Sequence, residues 1–249
     1  MISMFRSIFA PPRHLILLVA ALWIGLGLAE RRSERYHISK EVLNTIVYYS
    51  LFGYILGGRL LYALENLSIF ARSPLSLFAL NLDLFDPIGA FASAVIVGFV
   101  YANRRKLSLW RVLDALTPLF AILAIGLSLS HLAAGTAFGS PTALPWGMNL
   151  WNATRHPTQI YELIASLLIF GLIWFQKLDS PAGSEFLLFA ALMAGVRLFL
   201  EAFRGDSTLI FGGIRLAQIL AWIVLAFALF TSESLQWVDT STKPNPPLP

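Results

Sequence analysis

Seven apolar runs divide the chain, near 14–30, 43–64, 86–103, 112–135, 160–176, 184–203 and 214–231. At 1.5 Å of rise per residue, runs of this length match a hydrocarbon core about 30 Å thick once tilt is allowed for. Two of the polar connections are long, 65–85 and 136–159. The second contains Gly-Ser-Pro-Thr-Ala-Leu-Pro-Trp-Gly at 139–147, whose prolines and glycines punctuate turns and whose Trp146 suits the headgroup level. The pattern predicts an all-α, polytopic membrane protein with about seven transmembrane helices. It forms one transmembrane domain over 1–236, followed by a disordered tail over 237–249 that ends Lys-Pro-Asn-Pro-Pro-Leu-Pro.

Composition sharpens this picture. The chain is 57% hydrophobic and only 13% charged, with a mean hydropathy of +0.70, values that a soluble domain of 249 residues does not reach. There is no cysteine, which excludes disulfides, thiolate metal sites and a cysteine nucleophile in this protein but says nothing of a thiol on a substrate. The net charge of +4 does not call for a nucleic acid, because the basic residues lie at the ends of apolar runs. Residues 1–12 are too mixed for a cleavable signal peptide, so the first run is expected to remain as an anchor. Ten Lys and Arg fall on one side of the predicted helices, from Arg31, Arg32, Arg35 and Lys40 to Lys177 and Lys243. Six fall on the other: Arg6, Arg13, Arg72, Arg155, Arg204 and Arg215. The richer side is expected to be cytoplasmic, with the N-terminus outside and the C-terminus inside. The remaining two of the eighteen, Arg59 and Arg197, lie inside helices.

That anomaly points to chemistry. A charge at the bilayer centre costs about 2.5 to 3.5 kcal/mol on insertion scales. On the predicted topology, the polar residues within helices all fall in the outer half of the membrane. Arg59 and Tyr62 share a face in the second helix; Ser128 and His131 share a stripe in the fourth; Arg197, Glu201 and Arg204 follow at i, i+4 and i+7 in the sixth. The fifth helix opens on Arg155-His156-Pro157-Thr158-Gln159-Ile160-Tyr161-Glu162, with Pro157 suited to the first turn and Gln159 and Glu162 one turn apart. Gly53, Gly57 and Gly58 are expected to permit close helix approach. Two arginines, carboxylates, two histidines and a tyrosine describe a polar cavity open toward the outer leaflet. Arginine grips phosphate through a bidentate fork, so lipid headgroup chemistry is the first reading and small-anion transport the second.

Four stretches carry a resemblance to a known family: Gly57-Gly58-Arg59-Leu60-Leu61-Tyr62, the Gly139–Gly147 loop, Arg155 to Glu162, and Arg197-Leu198-Phe199-Leu200-Glu201-Ala202-Phe203-Arg204. Over about residues 37–225 the chain resembles the prolipoprotein diacylglyceryl transferases of bacterial inner membranes, which have seven spans in the same orientation. The resemblance implies transfer of a diacylglyceryl group from phosphatidylglycerol, a membrane lipid, to the lipobox cysteine of a prolipoprotein, without metal or cofactor. Such a step needs a base for the thiol and cations for the phosphate. The expected catalytic residues are His131, His156, Tyr161, Arg197 and Glu201, with Arg59, Tyr62, Ser128, Gln159, Glu162 and Arg204 binding substrate. Two departures stand out. The arginine usual in the family's fourth helix falls on Ser128, with His131 at an asparagine position, and the histidine that opens the third helix is replaced by Asp86-Pro87. A catalytically impaired, lipid-binding relative therefore stays open as the alternative.

Overall fold

The structure, a computed structural model, describes residues 2–72, 75, 84–176, 181–210 and 212–242. The described residues are mainly helical, with two small hairpins, and they group into two compact units, 33–112 and the combination of 1–32 with 113–249.

In the smaller unit, helix α3 (Lys40–Glu65) begins at Ser39, whose hydroxyl accepts the Val42 N–H, and helix α5 (Pro87–Arg104) begins at Asp86, whose carboxylate accepts the Gly89 N–H. Each cap satisfies a donor that the first turn would leave unpaired. The two helices run antiparallel in close contact. A Cβ on Gly53 would lie 2.9 Å from Val97, one on Gly57 would collide with Ser93, and one on Gly89 would collide with Leu61. Gly53 and Gly57 therefore serve helix approach, as expected, whereas a Cβ on Gly58 would collide with the ring of Phe85, ahead of α5. The short helix α4 (Leu67–Arg72) follows α3; most of the connection after it, 73–74 and 76–83, lies outside the described residues.

The larger unit contains α1 (Ile2–Ile8), α2 (Leu15–Ser33), most of α6 (Leu109–Ala134), α7 (Thr158–Phe175), α8 (Ser184–Glu201) and α9 (Leu216–Thr242). Gly25 packs on Leu119 and Gly126 on Ala21, which draws α2 against α6. Ala121, Ile169, Ile173 and Phe189 form a core shared by α6, α7 and α8. On the outside, Leu168 and Phe175 are 70% and 84% exposed, the arrangement expected where lipid rather than water is the solvent. Helices α5, α6, α7 and Leu216–Leu235 of α9 are long and apolar enough to cross a membrane, and the protein is a multi-pass membrane protein. Helix α2 ends on Glu30-Arg31-Arg32-Ser33, and α8 carries Glu185, Arg197 and Glu201 within eighteen residues. Of the expected tail, 237–242 is the end of α9, and 243–249 lies outside the described residues.

The hairpins were not foreseen. Strands β1 (Met148–Leu150) and β2 (Ala153–Arg155) pair through a two-residue turn, Trp151-Asn152, with φ of 55° and 59°. Positive φ at both turn residues is the geometry whose twist matches a tight hairpin. Strands of three residues are too short to show a period, and Trp-Asn is not a usual signal for this turn. Strands β3 (Leu209–Ile210) and β4 (Ile214–Arg215) form a second small hairpin leading into α9.

Candidate functional site

The end of α6, the start of α7 and the end of α8 meet in the larger unit, and Glu162 is their hub. Its Oε1 lies 3.0 Å from Arg197 Nη1 and 3.4 Å from Arg204 Nη1, and its Oε2 lies 3.9 Å from His131 Nδ1. Arg197 also reaches Glu201 on its own helix, Nε to Oε2 at 3.1 Å, the i,i+4 pair legible from spacing. Neither Arg197 nor Arg204 aligns an N–H on that oxygen, so Glu201, 1% exposed, acts there as a buried counter-charge rather than a hydrogen-bond acceptor. Arg204 completes its set with Asp206 Oδ1 at 2.8 Å. The two arginines thus arrive with three carboxylates, and the site is less cation-rich than the sequence suggested. Arg197 is the more open of the two, 37% exposed against 10% for Arg204. Its Nη2 donates to no acceptor among the described residues.

Three of the four motif stretches are knitted around this hub. The Ser140 N–H donates to the Phe203 carbonyl, the Gly205 N–H to Phe138 and the His156 N–H to Ser140. Gly139 sits so tightly on the His156 carbonyl that any Cβ would collide with it. Thr158 and Gln159, both fully buried, donate to the carbonyls of Ala137 and Thr136 and hold the chain where it leaves α6. Pro157 is the cap residue and α7 starts at Thr158, one position later than expected. The His156 ring packs 5.2 Å from Phe203 and 6.4 Å from Tyr161, with Nδ1 buried and unpartnered. The Tyr161 hydroxyl accepts from Trp146 Nε1 at 2.9 Å.

Other expected residues are engaged elsewhere. The Ser128 hydroxyl bonds back to the Ala124 carbonyl at 3.0 Å, inside its own helix. Arg59 and Tyr62 belong to the smaller unit. There Arg59 donates to the Leu84 carbonyl at 3.0 Å beside the start of α5, and the Tyr62 ring lies edge-on to Phe70.

Sequence reasoning missed two groups. Arg215, counted only for topology, donates to the carbonyls of Glu201 and Arg204 and to the Ser207 hydroxyl, clamping the exit of α8. At the opposite end of the same helices, Arg32 Nη1 and Glu185 Oε1 pair at 2.9 Å, almost fully buried, with the guanidinium 5.1 Å from the Trp174 ring centre. Nearby, Asp114 accepts from the Gly183 and Phe186 N–H groups. Asp114 was visible as a carboxylate within an apolar run. Arg32 was hidden as the second of two loop-like arginines.

Helices of membrane-spanning length, antiparallel and joined at one end by a carboxylate-arginine-histidine cluster, define a membrane protein with a polar site built between its helices. The comparisons make this specific. The family model for prolipoprotein diacylglyceryl transferase matches residues 14–232, and the chain belongs to that family. Relatives named phosphatidylglycerol–prolipoprotein diacylglyceryl transferase include one from Nostoc sp., 26% identical over 93% of this chain and 86% of its own length. One from Synechocystis sp. is 28% identical over 89% and 83%, and one from Thermotoga maritima is 28% identical over 84% and 75%.

Proposed function

We propose that this protein transfers the diacylglyceryl group of phosphatidylglycerol to the lipobox cysteine of a prolipoprotein, at the outer face of a bacterial inner membrane. The carrying observation is the meeting of His131, Glu162, Arg197, Glu201 and Arg204 at one end of three helices. On this reading about seven helices span the membrane, the N-terminus is outside and the C-terminus inside, and the site is a polar cavity open toward the outer leaflet.

Chemically, the cysteine S–H gives its proton to His131, and the sulfur attacks the glyceryl carbon that carries the phosphate. The carbon–oxygen bond breaks with its electron pair going to the phosphate, so the products are a thioether and glycerol phosphate. His131 Nδ1 is buried 3.9 Å from Glu162 Oε2 without a hydrogen bond to it, so the carboxylate stands as a nearby counter-charge for the imidazolium that forms. The free Nη2 of Arg197 meets the phosphate, sharing the guanidinium with Glu162. Because the Tyr161 oxygen already accepts from Trp146, its own proton is free for a phosphate oxygen. His156 flanks Tyr161, the buried Gln159 and Ser128 support the site from behind, and Arg59 and Tyr62 are assigned to the lipid from the motif that carries them. The names of the relatives favour transfer over a transport role or an inactive lipid binder. The test is complementation of a transferase-depleted bacterium. Growth and lipidated lipoprotein are expected with the wild-type chain and lost with Arg197→Ala. Absence of rescue by a well-expressed wild-type chain, with no transfer to a lipobox peptide in vitro, would overturn the reading.

A further inference from the structure

An open pocket of about 440 Å³ lies against the β1–β2 hairpin, and none of the charged residues around Glu162 lines it. We propose that it binds a small phosphate oxyanion, of the kind present in glycerol phosphate. Its single charged wall is Arg6, and no acidic residue lines it. The guanidinium lies over the end of α6: its Nη2 is 2.8 Å from where a Cβ on Gly135 would stand. A cation at a helix C-terminus has a bland explanation, compensation of the helix dipole. Capping, however, would direct its donors at the last carbonyls. Instead Arg6 Nε is buried without a partner, and the side chain makes no hydrogen bond among the described residues. A buried donor left unsatisfied is costly unless something else meets it.

The rest of the lining, residues 149–154, sets two side-chain amides among Leu150, Trp151 and Ala153. The Thr154 hydroxyl gives its proton to Asn149 Oδ1 at 2.9 Å, which leaves the Asn149 amide NH₂ to donate outward. Asn152 adds a second amide at the turn. The turn itself is strained. Trp151, a bulky residue, has φ of 55°, held there by its Nε1–H donating to the Gly135 carbonyl at 2.9 Å. That bond fixes the hairpin tip beside Arg6, while Arg13, donating to the Ser7 carbonyl at 3.0 Å, fixes the end of α1. A guanidinium and two amides in one pocket lining without a carboxylate suit an oxyanion better than a cation or a neutral sugar.

The proposal stands on the pocket and not on the transfer reaction, and the test keeps the two apart. The full chain in phosphatidylcholine nanodiscs is titrated with sn-glycerol phosphate, inorganic phosphate and glycerol, followed by calorimetry. Glycerol phosphate binding is expected to weaken about tenfold or more in Arg6→Gln, less in Arg6→Lys, and to persist in Arg197→Ala. Asn149→Ala reads the same site should Arg6→Gln fail to fold. Competition by nanodiscs containing phosphatidylglycerol would identify a lipid headgroup as the occupant; competition by solutes alone would identify free phosphate. Either supports the oxyanion site. Binding unchanged in Arg6→Gln and Asn149→Ala, or lost in Arg197→Ala alone, would overturn it while leaving the proposed transfer intact. Glycerol binding as tightly as glycerol phosphate would overturn it too.

Discussion

Glu162→Gln is the substitution that probes the hub most directly. The glutamine keeps the shape and one acceptor oxygen but removes the charge that Arg197 and Arg204 share at 3.0 and 3.4 Å. Arg204 retains Asp206 at 2.8 Å, so most of the loss falls on Arg197, which keeps only the misaligned Glu201. A hydrogen bond to a charged group is worth about 1.5 to 3 kcal/mol, and His131 also loses a counter-charge 3.9 Å away. Taking about 2 to 4 kcal/mol off the stabilisation of the transition state, at about 1.4 kcal/mol per decade, predicts a kcat lower by roughly 30- to 1000-fold. The assay is transfer from phosphatidylglycerol to a lipobox peptide, with a thermal melt in the same detergent to separate chemistry from folding. A properly folded Glu162→Gln protein working within about threefold of the wild type would refute the hub.

Further outcomes follow from other positions. His131→Gln, which can hydrogen-bond but not accept a proton, should cut transfer about a hundredfold; a near-normal rate would leave His131 a structural residue. Arg197→Lys should retain little more transfer than Arg197→Ala, since an ammonium cannot serve Glu162, Glu201 and a phosphate from one planar fork; near-normal rates in both would reduce the pair to packing. Gly139→Ala should lower stability by about 1 to 3 kcal/mol, read as Tm, because its Cβ meets the His156 carbonyl. Glu185→Gln should cost about 3 to 5 kcal/mol by stranding Arg32, and the double variant with Arg32→Met should recover most of it; equal melts for single and double variants would contradict that account.

The helices were legible because an apolar run bounded by charges has few alternatives: the run expected at 184–203 is α8 at Ser184–Glu201, and that at 86–103 is α5 at Pro87–Arg104. The pairing of Arg197 with Glu201 was legible for the same reason, since four residues along a helix is one turn. What joins different helices was not. Glu162 reaches Arg197 and Arg204 across 35 and 42 residues, and no spacing rule predicts which carboxylate an arginine on another helix will choose. Ser128 shows the converse. It sits on the expected stripe, yet its hydroxyl turns to its own backbone, because a buried serine in a helix always has the i−4 carbonyl at hand.

Helix α8 is tied at both ends, to Arg32 through Glu185 and to Glu162 through Arg197. Twelve residues separate Glu185 from Arg197, about 18 Å of helix, so these ties fix its vertical register like pegs toward the two ends of a rod. A slip of even one residue, about 1.5 Å, would pull the near-fully buried Arg32–Glu185 pair apart and misplace Arg197 together. Piston-like sliding of α8 is therefore closed to this protein as a way of admitting lipid or releasing product. Traffic through the site has to be accommodated by side chains turning about a stationary helix.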